Sequence, residues 1–428
     1  MDSETHENGY SSVTIPFLHA TDEKSQKEEA EVLRLHSAGR TSFFNTCFNG
    51  LNALSGVGIL STPYALSSGG WFSLPLLFII ATMAFYTALL IQKTMDADPS
   101  IRSYPDIGER AFGRKGRMLA SSFMNLELYF VAIGFLILEG DNLHNIFPDG
   151  FQLNGLKVQG RESFIMIVAL VILPTILLKN LSILSYVSAT GVIACVIILG
   201  SIIWTGTFDG VGFHQKGVAV NLNGIPIAAS LYAFCYCGHP VFPTLYTSMR
   251  NRKNFTKVMF LCFFLCTLTY SSMAVFGYLM FGADVQSEIT LNLPKSKVGS
   301  KIAIYTTLVN PIAKYALMVT PIVHSIESRF RSYCNKRSFS LLIRITLLIS
   351  TIIVALAVPF FELLMSLVGA FLSMTASIIL PCMCYLKISG AYQRLGIETG
   401  IIWAILLFGV LIVIAGTYTS LVQIIGQM

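Results

Sequence analysis

The sequence has few charged residues for its length. Only 12% of its 428 residues are Asp, Glu, Lys or Arg, whereas an ordinary soluble protein carries about 25%. Apolar residues make up 54% instead. There is too little charge to give a core of this size a hydrophilic surface, so both a soluble enzyme and a disordered protein are excluded. The composition indicates a protein with many membrane-spanning segments.

The sequence also lacks the short motifs of common enzyme and metal sites. It contains no Walker lysine motif, no H-E-x-x-H and no G-x-S-x-G. The run Gly56-Val57-Gly58 is not a dinucleotide-binding fingerprint, because the third glycine is missing. The nine cysteines include no C-x2-C pair, so we interpret them as buried thiols rather than zinc ligands. We therefore expect no enzyme activity, no cofactor, no metal and no nucleic-acid partner.

The first 40 residues differ in composition from the rest. They are polar, lack the apolar stretch of a signal peptide, and contain eight acidic and four basic residues. This composition predicts an acidic, disordered tail over residues 1–40. Residues 41–425 are predicted to form one transmembrane domain.

Eleven apolar stretches are long enough to cross a bilayer, which takes about 20 helical residues. They predict an all-α membrane protein with eleven transmembrane helices, here called spans 1 to 11. The predicted spans cover residues 42–66, 70–92, 118–146, 162–178, 183–206, 223–246, 256–281, 300–327, 340–358, 360–386 and 400–424.

Lys and Arg concentrate on one side of these spans. With the N-terminus in the cytosol, 21 of the 29 fall in cytosolic segments and six on the opposite side. Cytosolic loops of membrane proteins are enriched in these residues. We therefore expect a cytosolic N-terminus and, after eleven crossings, a C-terminus on the other face.

Spans 1 and 6 contain helix-breaking residues near their midpoints. Span 1 contains Gly56, Gly58 and Pro63, and span 6 contains Gly238 and Pro240. A broken helix is tolerated in a bilayer only around a cavity. Breaks five spans apart indicate a 5+5 inverted repeat, with the substrate near the midplane and an eleventh helix outside the repeat. The alternative is that the glycines only allow close packing and the prolines only kink the helices.

The same residues carry a family resemblance. Gly56–Ala65, followed by Gly69–Trp71, resembles the first-helix signature of the amino acid/auxin permease family. Phe234–Pro243 is similar to the sixth-helix motif of that family. The Asn-Pro and Lys-Tyr pairs within Asn310–Tyr315 resemble the plant vacuolar amino acid transporter branch, which is related to the vesicular inhibitory amino acid transporters. The resemblance covers about residues 41–425.

This resemblance implies eleven helices in the amino acid-polyamine-organocation arrangement. It also implies secondary transport of neutral amino acids coupled to protons or another cation, without a cofactor. The membrane implied is that of the vacuole or a similar acidic organelle, with the plasma membrane as the alternative.

An amino acid needs hydrogen-bond donors for its carboxylate and acceptors for its ammonium group. The N-terminus of a half-helix presents free amides, and unwound carbonyls bind cations. The carboxylate candidates are Ser55, Gly56, Val57, Gly58 and Ile59. The carbonyls expected to face the ammonium group are those of Phe234, Cys235 and Gly238. No Lys or Glu lies directly beside the breaks, which fits a neutral substrate.

Charged residues inside a bilayer are unfavourable, so each one suggests a function. We consider Lys314, Glu127 and His239 candidates for ion coupling. Lys314 could occupy the place of a coupling cation, or be held in a static ion pair or snorkel beside a cavity. His239 could relay protons or only donate structural hydrogen bonds. Glu139 and Asp141 are expected to be hydrated near the non-cytosolic face.

The predicted function is secondary active transport of a neutral amino acid, by symport or exchange with protons. The alternative is an amino acid sensor that binds its ligand without turnover and signals through the tail. The expected partners are the amino acid substrate and the lipid bilayer, and no obligate protein partner is implied.

Overall fold

The computed structural model describes residues 41–153, 156–177, 183–329, 337–358, 360–393 and 396–427. The predicted tail, residues 1–40, lies outside the described residues. Long apolar stretches become helices, since a helix pairs its backbone polar groups within the segment. The α-helices are α1 Phe43–Leu54, α2 Gly58–Gly69, α3 Leu74–Ala97, α4 Tyr104–Ile146, α5 Arg161–Leu177, α6 Ile183–Phe208, α7 Ile225–Cys235, α8 Phe242–Ser248, α9 Phe255–Phe281, α10 Val298–Arg329, α11 Arg337–Ala357, α12 Phe361–Leu367, α13 Leu380–Ser389 and α14 Ile397–Gln427.

Nine stretches of the described residues are long and apolar enough to cross a membrane. The interrupted stretch Leu222–Ser248, which contains α7 and α8, is one of them. The two halves of span 1, α1 and α2, have 12 residues each, and α5 has 17. Helices occupy every range in which the sequence predicts a span.

Span 3 and the loop after it differ from the prediction in three features, namely the start of the helix, a kink within it and a short hairpin after it. Helix α4 begins at Tyr104, well before the predicted residue 118, because Ser103 and Asp106 form a capping box at its start. The helix kinks at Phe112–Gly113, where Gly113 has a φ of +65°. After α4, Phe151–Leu153 and Leu156–Val158 form a short antiparallel hairpin, β1 and β2.

Span 10 is not a regular α-helix. Between α12 and α13 the chain is wound as a π-helix over Val368–Ser373 and again over Thr375–Ile379. Such wider turns occur frequently at functional sites. This segment packs against α7, so tightly that a methyl group on Gly369 would lie 1.9 Å from the carbonyl oxygen of Ser230.

Candidate functional site

The first break separates α1 from α2. Helix α1 ends at Leu54, Ser55 takes a non-helical conformation with φ −76° and ψ 85°, and α2 begins at Gly58. Pro63 does not break the chain but lies inside α2. The carbonyl of Ile59, which would have paired with the missing amide of Pro63, accepts a hydrogen bond from the Thr62 hydroxyl instead, at 2.9 Å.

Side chains from distant helices complete the hydrogen bonds of this break. The Leu54 carbonyl accepts from the Gly56 amide at 2.9 Å and from the Tyr270 hydroxyl at 2.5 Å. The Ser55 carbonyl accepts from Nζ of Lys314 at 2.7 Å. The Gly56 amide is thus already in use in this conformation. Val57, Gly58 and Ile59 lie at the start of α2, where backbone amides have no acceptor within the helix.

The second break separates α7 from α8. Helix α7 ends at Cys235, a 3-10 turn spans His239–Val241, and α8 begins at Phe242. The Phe234 carbonyl accepts from the amides of Tyr236 and Cys237, and the Gly238 carbonyl accepts from the Val241 amide at 3.1 Å. A carbonyl oxygen has two lone pairs, so that of Gly238 can accept a second hydrogen bond.

The two breaks touch each other through Gly58 and Cys235. The Cys235 thiol lies 3.5 Å from the Gly58 carbonyl oxygen, to which it donates. A methyl group on Gly58 would lie 3.0 Å from Sγ and 3.3 Å from Cα of Cys235. The structure therefore brings the predicted substrate residues of spans 1 and 6 together, and Gly58 serves close packing.

Gly56 differs from the other glycines of the breaks. A methyl group on Gly238 would lie 3.0 Å from Leu54, but one on Gly56 would meet nothing closer than the Gly58 amide nitrogen, at 4.0 Å. Gly56 is also partly exposed, whereas Ser55, Val57 and Ile59 are buried. Open space at the break therefore lies beside Gly56.

Lys314 lies at the middle of α10 with its side chain buried. Its ammonium group bonds the Ser55 carbonyl and lies against Gly191 of α6, where a methyl group would come within 2.9 Å of Cε. Among the described residues Lys314 forms no ion pair, and its head group is buried. This geometry fits neither the static ion pair nor the snorkelling lysine. Gly191 leaves space for the Lys314 side chain because it has none of its own. Nothing in the sequence around Gly191 indicates this role.

Glu127 of α4 is buried beside the second break. Its Oε1 accepts a hydrogen bond of 2.6 Å from Ser373, in the π-helical part of span 10. It also lies within electrostatic range of Cys237, in the break itself. Each break therefore has beside it a buried ionisable side chain from a distant helix, Lys314 at the first break and Glu127 at the second. No pattern in the sequence identifies Ser373 as the partner of Glu127.

His239 is held against α3. Its Nε2 lies 2.9 Å from both the Ala84 carbonyl and the Thr87 hydroxyl, and the ring is fully buried. A hydrogen on Nε2 can donate to the carbonyl oxygen. The contact favours the structural alternative for His239, since it fixes the second break to a neighbouring helix.

The acidic residues near the end of α4 lie in a different environment from the predicted one. Asp141 is partly buried and forms an ion pair with Arg161. Glu139 is fully buried, with 0% of its surface exposed. The expectation that Glu139 is hydrated is therefore wrong. Neighbouring elements cover it, which hydropathy along the chain cannot reveal.

Comparison with known proteins gives consistent matches along the chain. Residues 39–422 match the family model for transmembrane amino acid transporter protein. Amino acid transporter AVT1I of Arabidopsis thaliana is 56% identical over 405 residues, covering 94% of this chain and 100% of the relative. Amino acid transporter AVT1J of the same plant is 58% identical over 407 residues, covering 94% and 96%.

Among solved structures, a Na+-coupled sialic acid symporter in its substrate-bound outward-open state has a similar fold. The TM-score is 0.51, at 11% sequence identity, and the match covers 90% of each chain. At this identity the likeness concerns the fold alone.

Proposed function

This chain belongs to the transmembrane amino acid transporter family, and we propose that it is a secondary active transporter of neutral amino acids driven by protons, by symport or exchange. In this proposal α1 with α2, and α5, add two crossings to the nine stretches that are long enough by themselves. The chain then crosses the bilayer eleven times, with a cytosolic N-terminus.

The contacts of the two buried ionisable residues support a 5+5 inverted repeat. Lys314, in span 8, contacts Ser55 of span 1 and lies against Gly191 of span 5. Glu127, in span 3, contacts Ser373 of span 10 and lies near Cys237 of span 6. Spans 8, 1 and 5 in the first set of contacts correspond to spans 3, 6 and 10 in the second, and the members of each pair are five spans apart. A repeat of five helices produces this correspondence, since equivalent helices of the two halves then meet equivalent neighbours.

The observation that carries the substrate proposal is the contact between the two breaks beside the open space at Gly56. The amides of Val57, Gly58 and Ile59 are proposed to bind the substrate carboxylate, with Ser55 nearby. The carbonyls of Phe234, Cys235 and Gly238 are proposed to bind the ammonium group. Backbone groups thus neutralise both ends of a zwitterion, and the pocket needs no charged side chain for a neutral amino acid.

For coupling, we propose that the Lys314 ammonium group acts as a built-in cation at the first break. Its hydrogen bond holds the Ser55 carbonyl in place, and loss of its proton would weaken that bond and release α1 from α10. Glu127 would exchange protons at the second break. His239 remains a weaker candidate, since its contacts with α3 account for its burial.

The membrane of an acidic organelle such as the vacuole is the proposed location, because it maintains the proton gradient that such coupling uses. The plasma membrane is the alternative.

The test is uptake of labelled amino acids by the purified full chain in proteoliposomes, with and without an imposed pH gradient. We expect saturable uptake of a few neutral amino acids that the gradient stimulates, and none in protein-free liposomes. Acidic and basic amino acids serve as the substrate control. Equal uptake rates with and without the pH gradient would contradict the proton coupling.

Amino acid binding without flux under any ion gradient would favour the sensor. In that case, deletion of residues 1–40 should abolish the signal while leaving ligand affinity intact.

A further inference from the structure

A short loop closes the end of the molecule that the charge distribution predicts to be non-cytosolic. It joins α9 to α10 and contains a 3-10 turn, Ile289–Asn292, packed against α2, α4 and α10. Glu288 immediately precedes the turn and is fully buried. Its Oε2 accepts a hydrogen bond of 2.5 Å from the side-chain amide of Asn142, in α4. One buried carboxylate thus ties the loop to span 3.

A second carboxylate, Glu139, lies on α4 one turn before Asn142, on the same helix face. It is fully buried, and neither of its oxygens has a hydrogen-bond partner among the described residues. Oε1 of Glu288 and Oδ1 of Asn142 are likewise buried and unpaired. The Asn142 amide is already donated, to the Leu138 carbonyl at 2.9 Å and to Glu288. These three side chains therefore have four buried acceptor oxygens and no remaining donor. The Thr290 hydroxyl, in the turn, is also buried without a partner among the described residues, but one hydroxyl can donate to only one of the four oxygens.

A proton is the simplest ligand that corrects this excess of acceptors. An ionised carboxylate without hydrogen bonds is strongly disfavoured in a buried site. A protonated carboxyl group provides an O–H donor, which a neighbouring acceptor oxygen can bind. We propose that Glu139, Asn142 and Glu288 form a proton-binding latch, which holds the loop against α4 while it carries a proton and releases the loop when the proton leaves.

The charged groups around the latch are mostly acidic. Asp141 of α4 is paired with Arg161 of α5, and Glu362 of α12 lies within electrostatic range of Glu288. At this end of the molecule the surrounding elements also carry Tyr64 of α2 near Glu362, His144 of α4 near Asp141, and the exposed Glu162, Asp284, Lys295, Lys297 and Lys301. The buried part of this end thus has more acids than bases, which favours proton binding.

The direction of the pH dependence follows from Glu288. Burial, reinforced by the charge of Asp141, holds the pKa of Glu288 well above its usual range, and the Asn142 amide opposes this shift only in part. The closed loop therefore binds more protons than the open, hydrated loop. By linkage, acid stabilises the closed loop, and this stabilisation is lost as the pH rises through the raised pKa.

The role of the latch in transport rests on the proposed function: it would let protons on the non-cytosolic side control the opening of that side. The latch itself requires only that the loop opens and closes. An experiment on loop opening therefore tests it separately from uptake.

The experiment is hydrogen–deuterium exchange of the full chain in lipid nanodiscs, at about pH 5 and about pH 7.5, with rates corrected for intrinsic exchange. In the wild type, we expect opening of the segment 288–293 to increase at least about tenfold at the higher pH, because a proton that only the closed loop binds changes the opening equilibrium by up to about tenfold per pH unit. Glu139→Gln and Glu288→Gln should lose part or all of this dependence, because glutamine cannot release a proton. Asp284→Asn removes an exposed acid of the same loop and should behave as the wild type.

Three results would overturn the latch. The first is wild-type protection that does not change with pH, a comparison that needs no variant to fold. The second is protection that differs between sodium and potassium at fixed pH, which would assign the oxygens to a metal cation. The third is full wild-type pH dependence in both glutamine variants, which would place the proton elsewhere. If the loop shows no pH dependence but gradient-driven uptake persists, the latch is wrong and the proposed function stands. If the loop shows the expected pH dependence but uptake ignores the pH gradient, the latch stands and the proton coupling is wrong.

Discussion

At the residue scale, the two glycines of the first break have different surroundings. Gly58 contacts the backbone of Cys235, whereas Gly56 has free space beside its Cα. A glycine at a helix contact and a glycine at a ligand site look alike in the sequence. The difference matters, because a side chain added at Gly58 displaces a neighbouring helix, while one added at Gly56 only fills space.

Gly56→Ala is therefore expected to impair uptake without destabilising the protein. The added methyl group occupies the space proposed for the substrate, so KM should rise about tenfold while the thermal unfolding temperature stays the same. Uptake kinetics and thermal unfolding in the same preparation measure both effects. Gly200→Ala, where a methyl group also meets nothing within 4 Å, is the matched control. Wild-type KM in Gly56→Ala would move the substrate away from this break.

Gly58→Leu should abolish uptake for a different reason. Its side chain forces α2 away from Cys235, and overpacking of this kind costs about 1–3 kcal/mol. We expect the variant to reach the membrane with a lowered unfolding temperature and no transport. Wild-type uptake kinetics in this variant would show that the contact with Cys235 is not needed for function.

At the element scale, broken helices are completed by other helices. The end of α1 receives hydrogen bonds from Tyr270 of α9 and from Lys314 of α10. Because unpaired carbonyls are unfavourable in a bilayer, these donors make the break stable. In the proposed coupling, loss of a proton from Lys314 would therefore act directly on the unwound segment.

Lys314→Met should remove the dependence on the pH gradient more than it affects folding. Methionine fills a similar volume but cannot donate to the Ser55 carbonyl, so gradient-stimulated uptake should fall at least about tenfold. Lys301→Met changes an exposed lysine on the same helix and should retain the wild-type response. If Lys314→Met responds to the gradient as the wild type does, Lys314 is a packing residue.

At the scale of the whole molecule, the arrangement of the helices determines which groups lie at the same end of the protein. The starts of α1 and α9 and the end of α8 lie at one end, where Thr41 and Met249 form a backbone bridge. Glu288 and the end of α4 lie at the other. Proton access at the proposed latch and at the two breaks therefore depends on the orientation in the membrane.

The orientation can be tested with epitope tags at both termini. We expect a tag before Met1 to be cleaved by protease added to the cytosolic side, and a tag after Met428 to be protected. The reason is the excess of Lys and Arg in the predicted cytosolic loops and the odd number of crossings. A tag on the loop following α5 is expected to behave as the N-terminal one. Cleavage of both terminal tags from one side would exclude eleven crossings.

Much of this molecule is determined by local properties of the chain. Apolar runs of about 20 residues become helices because the backbone must pair within the segment, so hydropathy alone located the helices. Glycine and proline interrupt a helix through their own backbone chemistry, and the breaks after Leu54 and Cys235 fall where the sequence predicts them. Family membership was likewise visible in the motifs around those breaks.

The tertiary structure decided what each buried polar group meets. Pairing of Lys314 with Ser55, of Glu127 with Ser373 and of Asn142 with Glu288 joins residues 259, 246 and 146 positions apart. No periodicity along the chain encodes such distances. Glu139 illustrates the consequence, since its position near a helix end suggested hydration and neighbouring elements cover it completely. Burial and hydrogen bonding are properties of the packed helices, and these decide which ionisable side chains can bind a proton.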